Sequence, residues 1–246
     1  MRTLAVLSQK GGTGKTTLAV HLAVAAWAQQ RRVMIADLDP QRSASEWRRM
    51  RNGPGPGLIE SKPGALFVAQ QASERAGVDL MVLDTRPAAD SDTAEAIRCA
   101  DLCLIVLRPS FFDLKTTGRM IEMTRAMGKS PLFVLNQAPA RRGDKEGPAV
   151  QEAVDGLRAL GLPMAPAGLR ARPVYQSAVA AGLTAQEALP GSAAAREIEL
   201  TWGHVEQALF APRSHARRGE VRAPKLPPAY VVEGRTETAA GLTAAE

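Results

Sequence analysis

Residues 9–17 read Gln9-Lys10-Gly11-Gly12-Thr13-Gly14-Lys15-Thr16-Thr17, and this stretch decides the fold. Before it, residues 3–8 form a short apolar run (Thr-Leu-Ala-Val-Leu-Ser) of the kind that makes a buried strand. After it, an Ala-rich apolar run continues through Ala28 and reads as a helix. Strand, glycine-rich loop and helix in that order form the context of a phosphate-binding loop. Gly11, Gly12 and Gly14 free the backbone to curl, so that successive N–H groups face phosphate oxygens. Lys15 then reaches the β- and γ-phosphates, and the Thr16 hydroxyl is placed to ligate Mg²⁺. Thr13 and Thr17 complete the expected nucleotide-binding set.

The loop departs from the common pattern at one end. That pattern has glycine six residues before the lysine; here Gln9 occupies the place and an extra lysine, Lys10, follows. Lys10-Gly-Gly-Thr-Gly-Lys15-Thr resembles the deviant Walker A motif of the ParA/MinD superfamily of ATPases. The resemblance implies that Lys15 acts on the nucleotide of its own subunit. Lys10 reaches across a dimer to the nucleotide of the other. A second stretch carries the same likeness. Residues 32–38 read as a strand that Pro40 stops, leaving Asp37 and Asp39 at its carboxyl end, the edge where a parallel sheet binds ligands. Asp37-Leu-Asp39-Pro-Gln matches the family's switch I, which implies that Asp39 positions the attacking water and that Asp37 lies near the Mg²⁺ shell. Residues 79–84 are a third strand, ending in Asp84; a buried strand that delivers a carboxylate toward Mg²⁺ is the Walker B pattern. Asp84-Thr-Arg86-Pro resembles the family's Asp-Thr-Pro-Pro but has Arg86 in place of the first proline.

The chain has 246 residues, 45% of them apolar and only 4% aromatic, enough for one large α/β domain with an Ala, Val, Leu and Ile core. Its net charge of +6 suits a polyanionic partner. No stretch approaches the roughly 18–20 apolar residues of a membrane span, and the chain starts directly in a strand, so a cytoplasmic protein with no membrane partner is expected; association with the nucleoid is what the family resemblance implies. Cys99 and Cys103 make neither a disulfide framework nor a four-ligand metal site and read as structural thiols; His21, on the first helix, reads as structural.

Further strands are expected over 101–107 and 131–135, and helices over 43–51, 113–127, 152–160 and 193–210. Residues 53–57 (Gly-Pro-Gly-Pro-Gly) read as a loop. Met120, Met123 and Met127 recur at helical spacing, and Ile198, Trp202, Val205 and Leu209 form one stripe of the last helix. Arg48, Arg49 and Arg51 cluster beside Trp47, where they either touch a partner or line a solvated face. Asn136, closing the 131–135 strand, falls where the superfamily contacts adenine. Arg172-x-x-Tyr175 followed by a small-residue helix resembles the carboxyl-terminal part of small ParA proteins, plasmid ParF-like or orphan chromosomal in type.

The expected architecture is a three-layer α/β P-loop NTPase fold over residues 1–211, with a mostly parallel twisted sheet between helices. Residues 212–246 read as a disordered Pro/Ala-rich tail with a basic first half, five Lys or Arg against Glu220 over 213–225. The family resemblance implies an ATP- and Mg²⁺-dependent homodimer that binds DNA non-specifically. It implies further that a ParB-like or cargo-adaptor protein stimulates weak hydrolysis, so that the ATPase partitions a plasmid or chromosome or positions a cargo. Arg141, Arg142, Arg170 and Arg172 are the expected DNA contacts. The alternative is a metabolic ATP-dependent synthetase of the cobyrinate or dethiobiotin type.

Overall fold

The computed structural model describes residues 1–211 except 89, 130, 142, 144, 166 and 167, together with all side chains in that set but those of Pro63, Phe111 and Phe112. Arg142 and the whole expected tail therefore lie outside the described residues.

Six strands, β1 (Arg2–Leu7), β2 (Val33–Asp37), β3 (Gly57–Glu60), β4 (Leu80–Asp84), β5 (Leu102–Leu107) and β6 (Pro131–Leu135), form one sheet in the order β3-β2-β4-β1-β5-β6. Every pairing is parallel. Parallel strands need crossovers, and the intervening helices supply them: α1 (Lys15–Ala28), α2 (Ser43–Met50), α3 (Leu66–Arg75), α4 (Ser91–Cys99) and α5 (Phe111–Ala126). Beyond β6 come α6 (Pro148–Ala159), α7 (Pro173–Ala180), the single turn α8 (Ala185–Ala188) and α9 (Ala193–Phe210).

Side chains alternate across each strand, so the sheet has two buried faces. Leu4, Val6, Ile35, Val82, Leu104 and Val134 meet α1 and, through Ile198, Trp202 and Val205, α9. Ala5, Leu7, Met81, Leu83, Ile105 and Phe133 meet the other layer, built from Ala96, Ile97, Met120, Ile121, Ala153 and Leu157. Two covered faces explain why the strands are continuously apolar. Helix α1 is buried almost all round, between the sheet and the α7–α9 layer. Its alanines let it pack that closely; a larger residue at Ala19, Ala23 or Ala26 has no room.

The strands foreseen from sequence fall within a residue of their expected ends. Strand β3 and helix α3 were not foreseen. β3 has four residues and a half-exposed edge position, and α3 leaves Phe67 and Val68 in solvent, which blurs its apolar period. Helix α6 begins four residues before the expected start, because Pro148 at its first turn has φ preset for a helix. Met120 is fully buried and Met123 and Met127 pack partly against the same cluster, so the methionine stripe is core. Cys103 is buried and Cys99 half-buried, and among the described residues no cluster of metal-ligating side chains exists. No described helix is long and apolar enough to cross a membrane.

Candidate nucleotide-binding site

The chain leaves β1 at the centre of the sheet, runs outward through β2 and β3, and returns through β4 before crossing to β5 and β6. The direction of winding changes at β1, and the crevice outside its carboxyl end is where such sheets bind ligands. Residues 8–14 sit in that crevice.

Gly14 caps α1 in the left-handed region at φ 85°, and a Cβ there would lie 2.3 Å from the Asn136 amide nitrogen. Backbone angle and space both demand glycine. The carboxyl end of β6 holds the loop from the other side. Asn136 Nδ2 donates to the Thr13 carbonyl (2.7 Å), and Gln137 Nε2 to the Gly12 carbonyl (2.8 Å). With its carbonyls turned outward onto these amides, the loop keeps its N–H groups for the cavity. The Lys15 side chain, 6% exposed, donates to Ser8 Oγ (3.0 Å), and Ser8 Oγ donates to the Lys10 carbonyl (2.7 Å). Burial lowers the Lys15 pKa, with Asp84 and Asp39 opposing it.

Adjacent register pairs Asp37 with Asp84, so both carboxylates leave the sheet at the same level. Their surroundings differ. Asp37 Oδ2 accepts from the Ser45 N–H (2.9 Å) and hydroxyl (2.7 Å), and Oδ1 from the Asp39 N–H (3.2 Å). Asp37 thus ties the first turn of α2 and the Asp39 loop to the sheet. Asp84 is fully buried and neither of its oxygens has a hydrogen-bond partner. Burial pushes its carboxyl up to about 7; the nearby Thr16 hydroxyl and the Lys15 ammonium pull it down, while Asp37 and Asp39 add to the rise. A buried carboxylate without donors is unfavourable unless a cation joins it. Asp84, with Thr16 beside it and the donor set all oxygen, fits Mg²⁺.

Two cavities flank the start of α1. One, of about 500 Å³, is lined by residues that include Gly12, Gly14, Lys15, Thr16, Thr17, Asp39, Arg86 and Pro87. The other, of about 320 Å³, shares Gly14 and Thr17 and is walled by Asn136, Gln137, Arg170, Arg172 and Tyr175. Together they make a trough with the glycine loop in the middle. Gly11 comes close to the Pro87 wall, where a Cβ would touch Pro87 at 3.8 Å, and Lys10 lies on the other side of the loop with Leu107, Asp113 and Thr117.

Of the residues expected to contact DNA, Arg141 donates to Glu146 (2.6 Å). The Arg170 side chain, 11% exposed, makes two bonds to the same carboxylate (2.5 and 2.8 Å). The Arg170 and Arg141 guanidiniums hold the Glu146 carboxyl down at about 2, against burial. Arg172 makes two bonds to Glu197 (2.6 and 3.0 Å), which also accepts from the Tyr175 hydroxyl (2.8 Å). Arg170 and Arg172 are therefore paired walls of the trough. Arg51 is 7% exposed and bonded to Glu187 (2.5 and 2.9 Å) and to the Gly182 and Pro54 carbonyls, so of the three arginines beside Trp47 this one is structural. His21 is structural as well: Nε2 accepts the Ala185 N–H (3.0 Å), which leaves Nδ1 to donate to the Thr17 carbonyl (2.6 Å), and burial lowers its pKa to about 4.

Sequence reading did not single out Ser8, Ser45 or Gln137. Ser8 and Gln137 adjoin residues it did name, so adjacency was the available signal. Ser45 had none, since its partner Asp37 is joined to it only by the way α2 folds back.

The sequence matches the model of the CobQ/CobB/MinD/ParA nucleotide binding domain over residues 4–167. The chain belongs to this family. Among its relatives is the maintenance of carboxysome distribution protein A of Gloeobacter kilaueensis, 36% identical over 187 residues, 74% of this chain and 83% of that protein. The protein of the same name from Halothiobacillus neapolitanus is 30% identical over 80% of this chain and 92% of its own length. The septum site-determining protein MinD of Pyrococcus horikoshii, solved with Mg-ADP, superposes with a TM-score of 0.68 at 19% identity, covering 84% of this chain and 96% of that one. The six-stranded parallel sheet of this ParA/MinD-family ATPase is thus the P-loop NTPase fold of MinD, as the sequence led one to expect.

Proposed function

We propose that this chain is an ATP-driven positioning ATPase. It closes as a homodimer over two ATP molecules, binds DNA without sequence preference in that state, and is reset when a ParB-like or cargo-adaptor protein stimulates hydrolysis. The observation that carries the reading is Lys10. It adds a second lysine to a loop whose phosphate cradle Lys15 already fills, it is half-buried beside β5 and α5 and lines neither cavity of the trough, and no ion-pair partner is found for it among the described residues. A lysine there serves a nucleotide it cannot share with Lys15, that of a second subunit. The relatives named for carboxysome distribution support the positioning role.

The glycine loop, Thr13 and Thr17 bind the phosphates of ATP, Lys15 neutralises them, and Asn136, which orders the loop through Thr13, flanks the base-side cavity. Thr16 and Asp84 hold Mg²⁺, with Asp37 supporting the switch from one step away; the bound ion supplies neutralisation of phosphate charge. Asp39, held by Asp37 through its N–H and facing the larger cavity, orients the attacking water. DNA contacts come from basic side chains of Arg141, Arg142, Arg170 and Arg172 and from the basic stretch 213–225, with the carboxylates of Glu146 and Glu197 tempering the first group. A cytoplasmic, nucleoid-bound location follows from this reading, as does a P-loop domain over 1–211 followed by a separate tail.

The test is a mobility shift on unrelated DNA fragments with ATP, ADP or no nucleotide, at two salt concentrations. ATP-dependent binding that weakens steeply with salt is expected, because phosphate contacts release counterions. Absence of binding at low salt with ATP sinks the DNA arm and favours a metabolic synthetase. Loss of ATP binding in Lys15→Ala is expected in parallel, and unchanged affinity would remove the phosphate cradle itself.

A further inference from the structure

Arg86 stands where the family pattern has proline, immediately after the Asp84-Thr85 strand end, and it lines the larger cavity together with Lys15 and Thr16. The base of its loop is pinned, since Thr85 Oγ1 donates to the Val6 carbonyl (2.8 Å) and Pro87 lies against Gly11. The guanidinium pairs at the start of α4 with Asp90 and, at 3.4 Å, with Asp92. Its Nε is buried, and its one acidic neighbour among the described residues is the Asp92 carboxylate at 3.4 Å, too poorly placed for a hydrogen bond.

We propose that Arg86 is a γ-phosphate-sensing residue: with a nucleoside triphosphate in the cavity its guanidinium leaves Asp90 and Asp92 and takes the terminal phosphate, and after hydrolysis it returns to the two carboxylates. This rests on the nucleotide reading above. Three features favour the exchange. First, both pairs are partly exposed, Arg86 at 41% and its partners at 30% and 42%, and ion pairs so placed hold weakly. Second, release leaves Asp90 satisfied, because its carboxylate already caps α4 by accepting the Asp92 and Thr93 N–H groups (3.1 Å each). Burial raises the Asp90 carboxyl's pKa, but the Thr93 N–H and then Arg86 outweigh it and hold it below the usual range. Asp92 sits in the first turn of α4, where the helix dipole favours a carboxylate with or without Arg86. Third, a planar guanidinium presents a fork that matches two phosphate oxygens, whereas its Nε meets Asp92 only at ion-pair distance, without a hydrogen bond.

In the reaction, a bond forms between the water oxygen and the γ-phosphorus while the bond to the β–γ bridging oxygen breaks. The electron pair stays on that oxygen of ADP, and the water protons end on phosphate and solvent. Charge builds on the γ-oxygens and the bridge, and a guanidinium there stabilises it. ADP lacks the group, so Arg86 adds nothing to ADP binding.

The experiment compares wild type with Arg86→Ala, Arg86→Lys and the double variant Asp90→Asn with Asp92→Asn. Equilibrium binding of ADP and of the slowly hydrolysed analogue ATPγS, with Mg²⁺, is set beside single-turnover phosphate release from ATP. Asparagine caps a helix as well as aspartate does, so the double variant keeps α4 while freeing Arg86. For Arg86→Ala, ADP affinity is expected within about twofold of wild type, while phosphate release falls about 10²-fold, the usual cost of losing one donor to developing charge. ATPγS preference over ADP falls with it, and Arg86→Lys, which keeps charge without the fork, lies between. The double variant raises the ATPγS preference by about 2–5-fold, the strength of the surface pairs removed. If Arg86 were only a clamp on the loop, Arg86→Ala and the double variant would shift both readouts in the same direction, and that result overturns the proposal. So does phosphate release in Arg86→Ala equal to wild type. Wild-type protein that binds no nucleotide overturns the nucleotide reading along with this one, which separates the two failures.

Discussion

Asp84→Asn should make the ligand-free protein more stable at pH 8 and abolish its stabilisation by Mg²⁺ and ATP. Burial lifts the Asp84 carboxyl from an ordinary 3.8 to about 7, with the smaller influences of Thr16, Asp37, Lys15 and Asp39 around it. The folded chain therefore holds a proton that the unfolded chain has released over pH 4–7, and stability falls with rising pH through that window. Below about pH 4 the group costs nothing; above about pH 7 the full penalty of a buried charge is present. The rise from 3.8 to about 7 is about 3 units, and at 1.36 kcal/mol per unit this gives about 4 kcal/mol at pH 8. Part is lost in the variant, because Lys15 loses its larger counter-charge, Asp84, while it remains buried. A net gain of about 2–4 kcal/mol remains, worth roughly 5–15 °C for a domain of this size. Thermal and urea unfolding of both proteins at pH 5 and pH 8, with and without Mg²⁺ and ADP or ATPγS, measures it. The gain should shrink toward pH 5, and added Mg²⁺-nucleotide should raise the melting point of wild type far more than that of the variant. A variant equally or less stable than wild type at pH 8 without ligand refutes the account of Asp84 as a strained carboxylate kept for a cation.

Gly14→Ala should lose nucleotide binding, because the new methyl meets the Asn136 amide at 2.3 Å at a positive φ; a titration with a fluorescent ATP analogue at or near wild-type affinity contradicts the geometry given for the cradle. Asp39→Ala should keep ATP binding and ATP-dependent dimerisation while phosphate release stops, as light scattering beside a phosphate assay will show; wild-type turnover removes the role given to Asp39. Arg51→Ala should destabilise the fold by about 3 kcal/mol in urea unfolding, since it leaves the Glu187 carboxylate with only its two Thr184 donors, deprives two carbonyls and empties the space of a side chain that is 5% exposed; a cost below about 1 kcal/mol places Arg51 among ordinary surface arginines.

Residues 9–17, Asp37 to Gln41 and the strand ending at Asp84 were legible in the sequence because their chemistry depends on local spacing. A glycine loop between a strand and a helix, and a carboxylate at a strand end, are set by neighbours a few residues away. The parallel sheet followed from the same alternation, since apolar runs separated by helices leave few topologies. What the sequence did not decide is which polar groups meet across the fold. Asp37 and Asp84 look alike in sequence, yet one is saturated by Ser45 and the Asp39 N–H while the other has no donor. Arg170 and Arg172 look like free cations, yet Glu146 and Glu197, 24 and 25 residues away, are paired with them. Arg51 reads as part of a basic face, yet it is anchored to Glu187 across 136 residues. Hydrogen bonds and ion pairs between distant segments carry no periodic signature; whether a charge is spent or available is fixed only when the layers close and bring donors to one buried carboxylate and none to its equally buried neighbour.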